Sequence, residues 1–208
     1  MSEMIRPNEA VTDGRLLRGA RSRQTVARHA VDVASLESLD RLSLGRLAHD
    51  LGLSKSGIQA LFGTKEKLQL ATIEAAGQAF DEAVVRPAMA HASGLERLNG
   101  LVERWIEYVD QPLFPGGCFW AANLPVFDSR SGSIRDALAA QQQVWRGLLA
   151  DELRRAAADG HAVRLDPVRA AFLIDAVLTA SNTALRLGNN DAKETVRRII
   201  DGLVAPAD

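Results

Sequence analysis

SLGRLAHDLGLSKSGIQALFGTKEK, residues Ser43 to Lys67, reads as two short helices joined by a tight turn and followed by the start of a third. Ser43 is placed to cap a helix whose apolar side is Leu44, Leu47, Ala48 and Leu51, an i, i+3, i+4, i+7 set that fills one face. Gly52 ends it, because glycine enters the left-handed conformation at low cost and lets the backbone reverse within a few residues. Leu53 is expected to tuck under the turn. Ser54 then caps a second helix in which Ile58, Leu61 and Phe62 must face Leu47 and Leu51, leaving Lys55, Ser56, Gly57, Gln59 and Ala60 outward. A helix with so short an outer face near its N-terminus fits a major groove, where Gln pairs with an adenine edge and Lys with guanine or phosphate.

Charge is distributed as that reading requires. The chain of 208 residues has a net charge of −1, which by itself argues against a general polyanion binder. Between Gly14 and Lys67, however, ten Arg and Lys (15, 18, 21, 23, 28, 41, 46, 55, 65, 67) face five Asp and Glu (32, 37, 40, 50, 66), a local +5. The 141 residues that follow carry fourteen positive and eighteen negative charges, a local −4. The basic residues are concentrated where the turn is, which points to phosphate contact.

These residues resemble the TetR family of one-component transcriptional regulators. The resemblance lies in the S-L-x-x-L-A-x-x-L-G-L-S-K turn, in I-Q-A-L-F as the second helix, and in G-T-K-E-K-L opening the third. It is sharpest over residues 20 to 70, and GGCFWAANLPVFDSRSGSIRDAL at 116 to 138 is similar to a segment of one branch of the family. Four positions depart from the pattern. Gln59 stands where the family has a phosphate-contacting Tyr, Leu61 replaces its His, Ala34 its first-helix Phe, and Ser38 the Gly before the second helix. The resemblance implies an all-α fold: an N-terminal three-helix helix-turn-helix DNA-binding domain, and a C-terminal helical domain for effector binding and dimerisation. The boundaries expected are an arm over 1–17, the DNA-binding domain over 18–67 and the effector domain over 68–208. The DNA-contacting set is Arg21, Ser43, Arg46, Ser54, Lys55, Ser56, Gly57, Gln59, Ala60, Thr64 and Lys65.

Residues 1–17, with Pro7 and Gly14 and no sustained period, read as an arm, and Arg15, Arg18, Arg21 and Arg23 suit a minor groove. A helix from about Arg21 to Leu36 buries Val26, Ala30, Val33 and Ala34, with Leu39 and Leu42 closing the corner. Thr64 caps the helix that runs to Arg86, where Pro87 ends or kinks it. Lys65 in its first turn opposes the macrodipole, so it needs a partner, and DNA phosphate is the natural one. Leu95 to Val109 is amphipathic, with Trp105 on its buried side. CFWAANLPVF then reads as a short helix ending near Pro125. Phe114, Phe119, Trp120 and Phe127 crowd into a chain that is only 5% aromatic, beside Cys118 and Asn123. Such a set is either ordinary core or an apolar pocket with few polar groups, the usual anatomy of a small-molecule site. As a pocket it comprises Phe80, Trp105, Cys118, Phe119, Trp120, Asn123, Phe127 and Trp145.

A long helix follows from Ser133 to about Ala158, with Ile134, Leu138, Val144, Trp145, Leu148, Leu149 and Leu153 inward. Asp166 caps another, through Leu187, so thin and uncharged that burial on two sides is expected, the second against a partner subunit. With Ala192 to Val204 it would give a four-helix bundle in a homodimer. No strand alternation, phosphate loop or metal-ligand cluster is visible, and the four His (29, 49, 91, 161) are scattered, so no metal or cofactor is expected. One cysteine forms no internal disulfide, and no apolar run approaching about 18 residues is apparent, so a cytoplasmic protein without membrane contact is expected. The expected partners are an operator in double-stranded DNA, a small apolar or amphipathic effector and a second subunit. The competing reading is a helical small-molecule-binding protein, or an enzyme with Cys118 as nucleophile, that keeps a vestigial DNA-binding domain.

Overall fold

The computed structural model describes residues 7–205, with side chains over residues 19–204. Ten helices make up nearly all of it: α1 Pro7–Glu37, α2 Leu44–Asp50, α3 Lys55–Phe62, α4 Lys65–Phe80, α5 Arg86–Ala88, α6 Leu95–Asp110, α7 Phe119–Phe127, α8 Ser133–Ala158, α9 Pro167–Arg186 and α10 Ala192–Leu203. The first three form a head against which α4 packs. The rest form a body, and one continuous apolar core runs through both.

The head follows from its sequence. Ser43, Ser54 and Thr64 sit in extended backbone, and their side-chain oxygens accept from the N–H groups of Arg46, Gly57 and Lys67 at 3.1, 3.0 and 3.1 Å, so each helix starts where a cap is encoded. Leu47, Ala48, Ile58 and Phe62 are buried against Val26, Ala30, Val33 and Ala34 of α1, with Leu39 and Leu42 sealed beneath. Two expectations fail here. The backbone of residues 7–17, read as an arm, is helical: Pro7 at a first position forfeits no hydrogen bond, and α1 continues unbroken from it. The side chains of Arg15 and Arg18 lie outside the described residues. Leu53 does not tuck in but is 46% exposed.

In the body, α4 is one rod with α5, because Pro87 enters at the second position of α5 instead of terminating the helix. The two are joined by a π-turn at Asp81–Val85. Pro125 likewise lies inside α7, which runs on to Phe127. Val144, expected inward, is 74% exposed. A two-residue antiparallel pair, Ala162–Val163 with Val204–Ala205, ties the chain before α9 to the end of α10 and was not legible as strand. Contrary to the sequence reading, α9 is long and apolar enough to cross a membrane by length and composition. It nonetheless carries Asp175, buried and paired to Arg146 of α8, and packs between α8 and α10.

Candidate functional site

The outer face of α3 is bare. Lys55, Ser56, Gly57, Gln59 and Ala60 are all exposed, as a groove-entering helix requires. Arg21 is exposed on α1 beside it. Not every basic side chain of the candidate set is idle. Arg46 donates to Asp50 at 2.9 Å and to Glu37 at 3.3 and 3.4 Å, and the Gln59 amide donates back to the Gly63 carbonyl. The partner that Lys65 requires is supplied by the chain itself, since its ammonium donates to the Asp40 carbonyl oxygen at 2.6 Å. A hydrogen bond from Arg130, with the charges of Arg130 and Lys65 nearby, holds the Asp40 carboxyl below its usual range.

A cavity of about 230 Å³ lies in the body, walled by Phe80 of α4, Trp105 of α6, Cys118, Trp120, Ala121, Leu124 and Pro125 at α7, Gln141, Gln142 and Trp145 of α8, and Asp175 and Thr179 of α9. Phe80 meets Trp120 and Trp145 edge to face at 5.2 and 5.3 Å. A neighbouring cavity of about 270 Å³ shares Phe80, Trp120, Gln141 and Trp145 with it and reaches the surface at Asp81, Val85 and Val144. The larger groove between α1 and α4, about 660 Å³, is of mixed character, with Gln24, Arg28, Gln78 and Glu82 on its walls beside Ala75, Ala79, Ala83 and Leu113.

Of the eight residues expected to form the pocket, the structure brings five together: Phe80, Trp105, Cys118, Trp120 and Trp145. Three belong elsewhere. Phe119 is buried against Phe114, Phe127 packs under Arg130, and Asn123 points into the head. Gln141, Gln142, Asp175 and Thr179 were missed, since single polar residues on amphipathic helices give no signal of facing a cavity. Cys118 is buried, and burial pushes its thiol up, which disfavours the nucleophilic thiolate.

Head and cavity are joined through Leu39, in the short 3-10 turn Leu39–Arg41 after α1. Its N–H donates to Asn123 Oδ1 at 2.6 Å, and its carbonyl accepts from Gln69 Nε2 of α4 at 2.8 Å. The Asn123 amide also donates to the carbonyls of Ala34 and Phe119, at 3.2 and 2.8 Å. Asn123 is completely buried, so each of these bonds is made where water cannot replace it. Both helices that hold Leu39, α4 and α7, also wall the cavity.

Solved structures share this fold. A TetR transcriptional regulator from Chloroflexus aurantiacus superposes with a TM-score of 0.82 at 21% identity, covering 91% of this chain and 99% of that one. A putative transcriptional regulator from Saccharomonospora viridis in complex with choline gives 0.75 at 19% identity, covering 89% and 98%. AibR in complex with isovaleryl coenzyme A and operator DNA gives 0.70 at 16% identity, covering 88% and 98%. None of the curated proteins compared with the chain matches it. Residues 94–200, just over half of the chain and all of the cavity's α6–α9 walls, match the family described as tetracyclin repressor-like, C-terminal domain. With the head's helix-turn-helix in front of that domain, the chain belongs to the tetracyclin repressor-like (TetR) family of transcriptional regulators.

Proposed function

We propose that this protein is a homodimeric repressor that holds a palindromic operator and lets it go when a small apolar or amphipathic effector fills the cavity. The observation that carries the proposal is the double hold on Leu39. A ligand that displaces α4 or α7 at the cavity moves the groups that fix the corner of the head. Two recognition helices must lie about 34 Å apart to enter successive major grooves, so a modest tilt of each head loses many phosphate contacts together. A tenfold loss of DNA affinity requires about 1.4 kcal/mol of difference in effector affinity between the two arrangements. The AibR complex, with both an acyl-coenzyme A and operator DNA, supports a fold able to serve both ligands. The bare face of α3 supports DNA reading by Lys55 and Gln59, with Arg21, Ser43, Arg46, Ser54, Ser56, Gly57, Ala60, Thr64 and Lys65 around it.

The competing reading, a small-molecule binder with a vestigial head, draws on Gln59, whose amide is occupied by Gly63. A gel shift with DNA from beside the protein's own coding region separates the two. Binding that weakens with salt, with the slope of log K against log salt reduced by about 1 in Lys55→Ala, is expected of a phosphate-contacting repressor. No binding to any such fragment at low salt would leave the vestigial reading standing.

A further inference from the structure

The two neighbouring cavities share a wall, and the charge around them is one-sided. Their carboxylates are Asp175 in the first and Asp81 at the mouth of the second, and among the described residues no Lys, Arg or His lines either. The amide nitrogens that could serve an anion already donate within the protein, Gln141 Nε2 to the Ile73 carbonyl at 3.1 Å and Gln142 Nε2 to Asp175 Oδ2 at 3.2 Å. Asp175 has a cation of its own in Arg146, whose Nε donates to the same Oδ2 at 2.7 Å. That cation lies outside the lining: its guanidinium rests over the ring of the exposed Phe172 at 4.9 Å, and its side chain is 35% exposed against 10% for Asp175. Water therefore screens the guanidinium more than the carboxylate, and the carboxylate is the member of the pair that lines the cavity. Its charge reaches a second residue of the wall, since burial pushes the Cys118 thiol up and Asp175 adds to the rise.

Resting on the assignment of this cavity as the effector site, we propose that the effector is a small organic cation, an ammonium group on a compact apolar body, held beside Asp175 among the rings of Phe80, Trp105, Trp120 and Trp145. Carboxylate and rings favour the same ligand, because a cation is also drawn to aromatic faces, and apolar walls that keep the local dielectric low strengthen both attractions. A carboxylate or phosphate effector would be desolvated against like charge, with no basic side chain in the lining to offset the cost. A neutral molecule of the same shape would bury the same apolar surface and forgo the attraction. Size limits the ligand further: about 230 Å³ is below the roughly 300 Å³ at which drug-sized pockets begin, which suits one ring and one ammonium head. A longer apolar tail has Val85, Val144 and Leu148 of the second cavity to lie against.

All three tryptophans of the chain, Trp105, Trp120 and Trp145, line the first cavity, so intrinsic fluorescence reports on it directly. The test titrates the full-length protein with three probes of one shape and different charge: benzyltrimethylammonium, neopentylbenzene and benzylsulfonate. Wild type should bind the ammonium about tenfold more tightly than the neutral probe, the equivalent of about 1.4 kcal/mol, and the sulfonate most weakly. Asp175→Asn should bring the ammonium close to neopentylbenzene. Arg146→Gln, which removes the carboxylate's own cation at a partly exposed position, should tighten the ammonium further, and neopentylbenzene should bind all three proteins alike. If Asp175→Asn loses both probes together its fold has failed, and Arg146→Gln decides. Equal or stronger binding of the neutral or anionic probe by wild type, or an Arg146→Gln that leaves the ammonium unchanged, overturns the cation while leaving the cavity as the site. Quenching by none of the three overturns the cavity itself.

Discussion

Ser38 has φ 76° and ψ 153°, a conformation that is essentially reserved for glycine, and it is the one non-glycine with positive φ among the described residues. The chain keeps it there by local bonds. Its N–H donates to the Ala34 carbonyl at 3.0 Å, and its hydroxyl accepts from the Asp40 N–H at 3.2 Å. The TetR pattern has Gly at this position, so the departure visible in the sequence corresponds to strain in the structure. Strain of this kind costs roughly 1–3 kcal/mol, against about 1 kcal/mol for the hydroxyl's bond. Ser38→Gly is therefore expected to stabilise the protein by about 1 kcal/mol, read as a higher urea midpoint at unchanged m. A midpoint that stays or falls would mean that the backbone is at ease with serine. Lys65 teaches the complementary lesson. Its position at a helix N-terminus announced the need for a partner, but a backbone carbonyl 25 residues away has no signature in the sequence.

At the scale of elements, α6 and α10 are clasped by Arg197, whose Nε and Nη2 each donate to a Glu103 carboxylate oxygen at 2.7 Å. That pairing holds the Glu103 carboxyl below its ordinary 4.5. A depressed folded-state pKa stabilises above the unfolded value and is lost as pH falls through the folded one. Unfolding free energy should thus decline on acidification below about pH 4.5 less steeply in Glu103→Gln than in wild type, and at neutral pH the variant should be slightly less stable. Parallel pH profiles would remove the clasp from the account. Helices such as α6 were legible because Leu98, Leu101, Val102, Trp105, Ile106 and Val109 repeat at helical spacing and all are buried. On α7 the same logic could not choose a side. Phe119, Asn123 and Phe127 follow one another at i, i+4 and i+8 and face inward to head and core, while Trp120, Ala121 and Leu124 line the cavity. Both faces are apolar, so which of them meets the void depends on α1, α4 and α8, elements remote in the chain. The π-turn was hidden for a related reason: nothing in DEAVV distinguishes one hydrogen-bond register from the next.

In the whole molecule, apart from Leu36, Leu53 and Val144, the large apolar side chains left exposed lie on or beside α9, where Phe172 is 57% and Leu187, just beyond its end, 83% exposed, along with Val168, Ala176 and Ala180. Helix α10 turns Ala192, Val196, Ile200 and Leu203 to its own core and leaves Glu194, Arg198 and Asp201 outside, so in the proposed dimer the apolar part of the surface would come from α9. Ala180→Arg should dissociate the proposed dimer, because an unpaired buried charge costs several kcal/mol at each copy. Sedimentation of the variant at dimer mass, with its helical circular dichroism intact, would move the interface away from α9. One further consequence concerns the separability of the halves. The corner of the head is finished by a side chain from the body, Asn123, and by Gly116, whose N–H donates to the Ser35 hydroxyl at 2.9 Å and whose missing Cβ would lie 1.9 Å from the Ser35 carbonyl oxygen. The head is accordingly no cassette to be lifted out and grafted onto another sensor: cut free, it would leave the Leu39 N–H without its acceptor, and any graft must bring a replacement for Asn123.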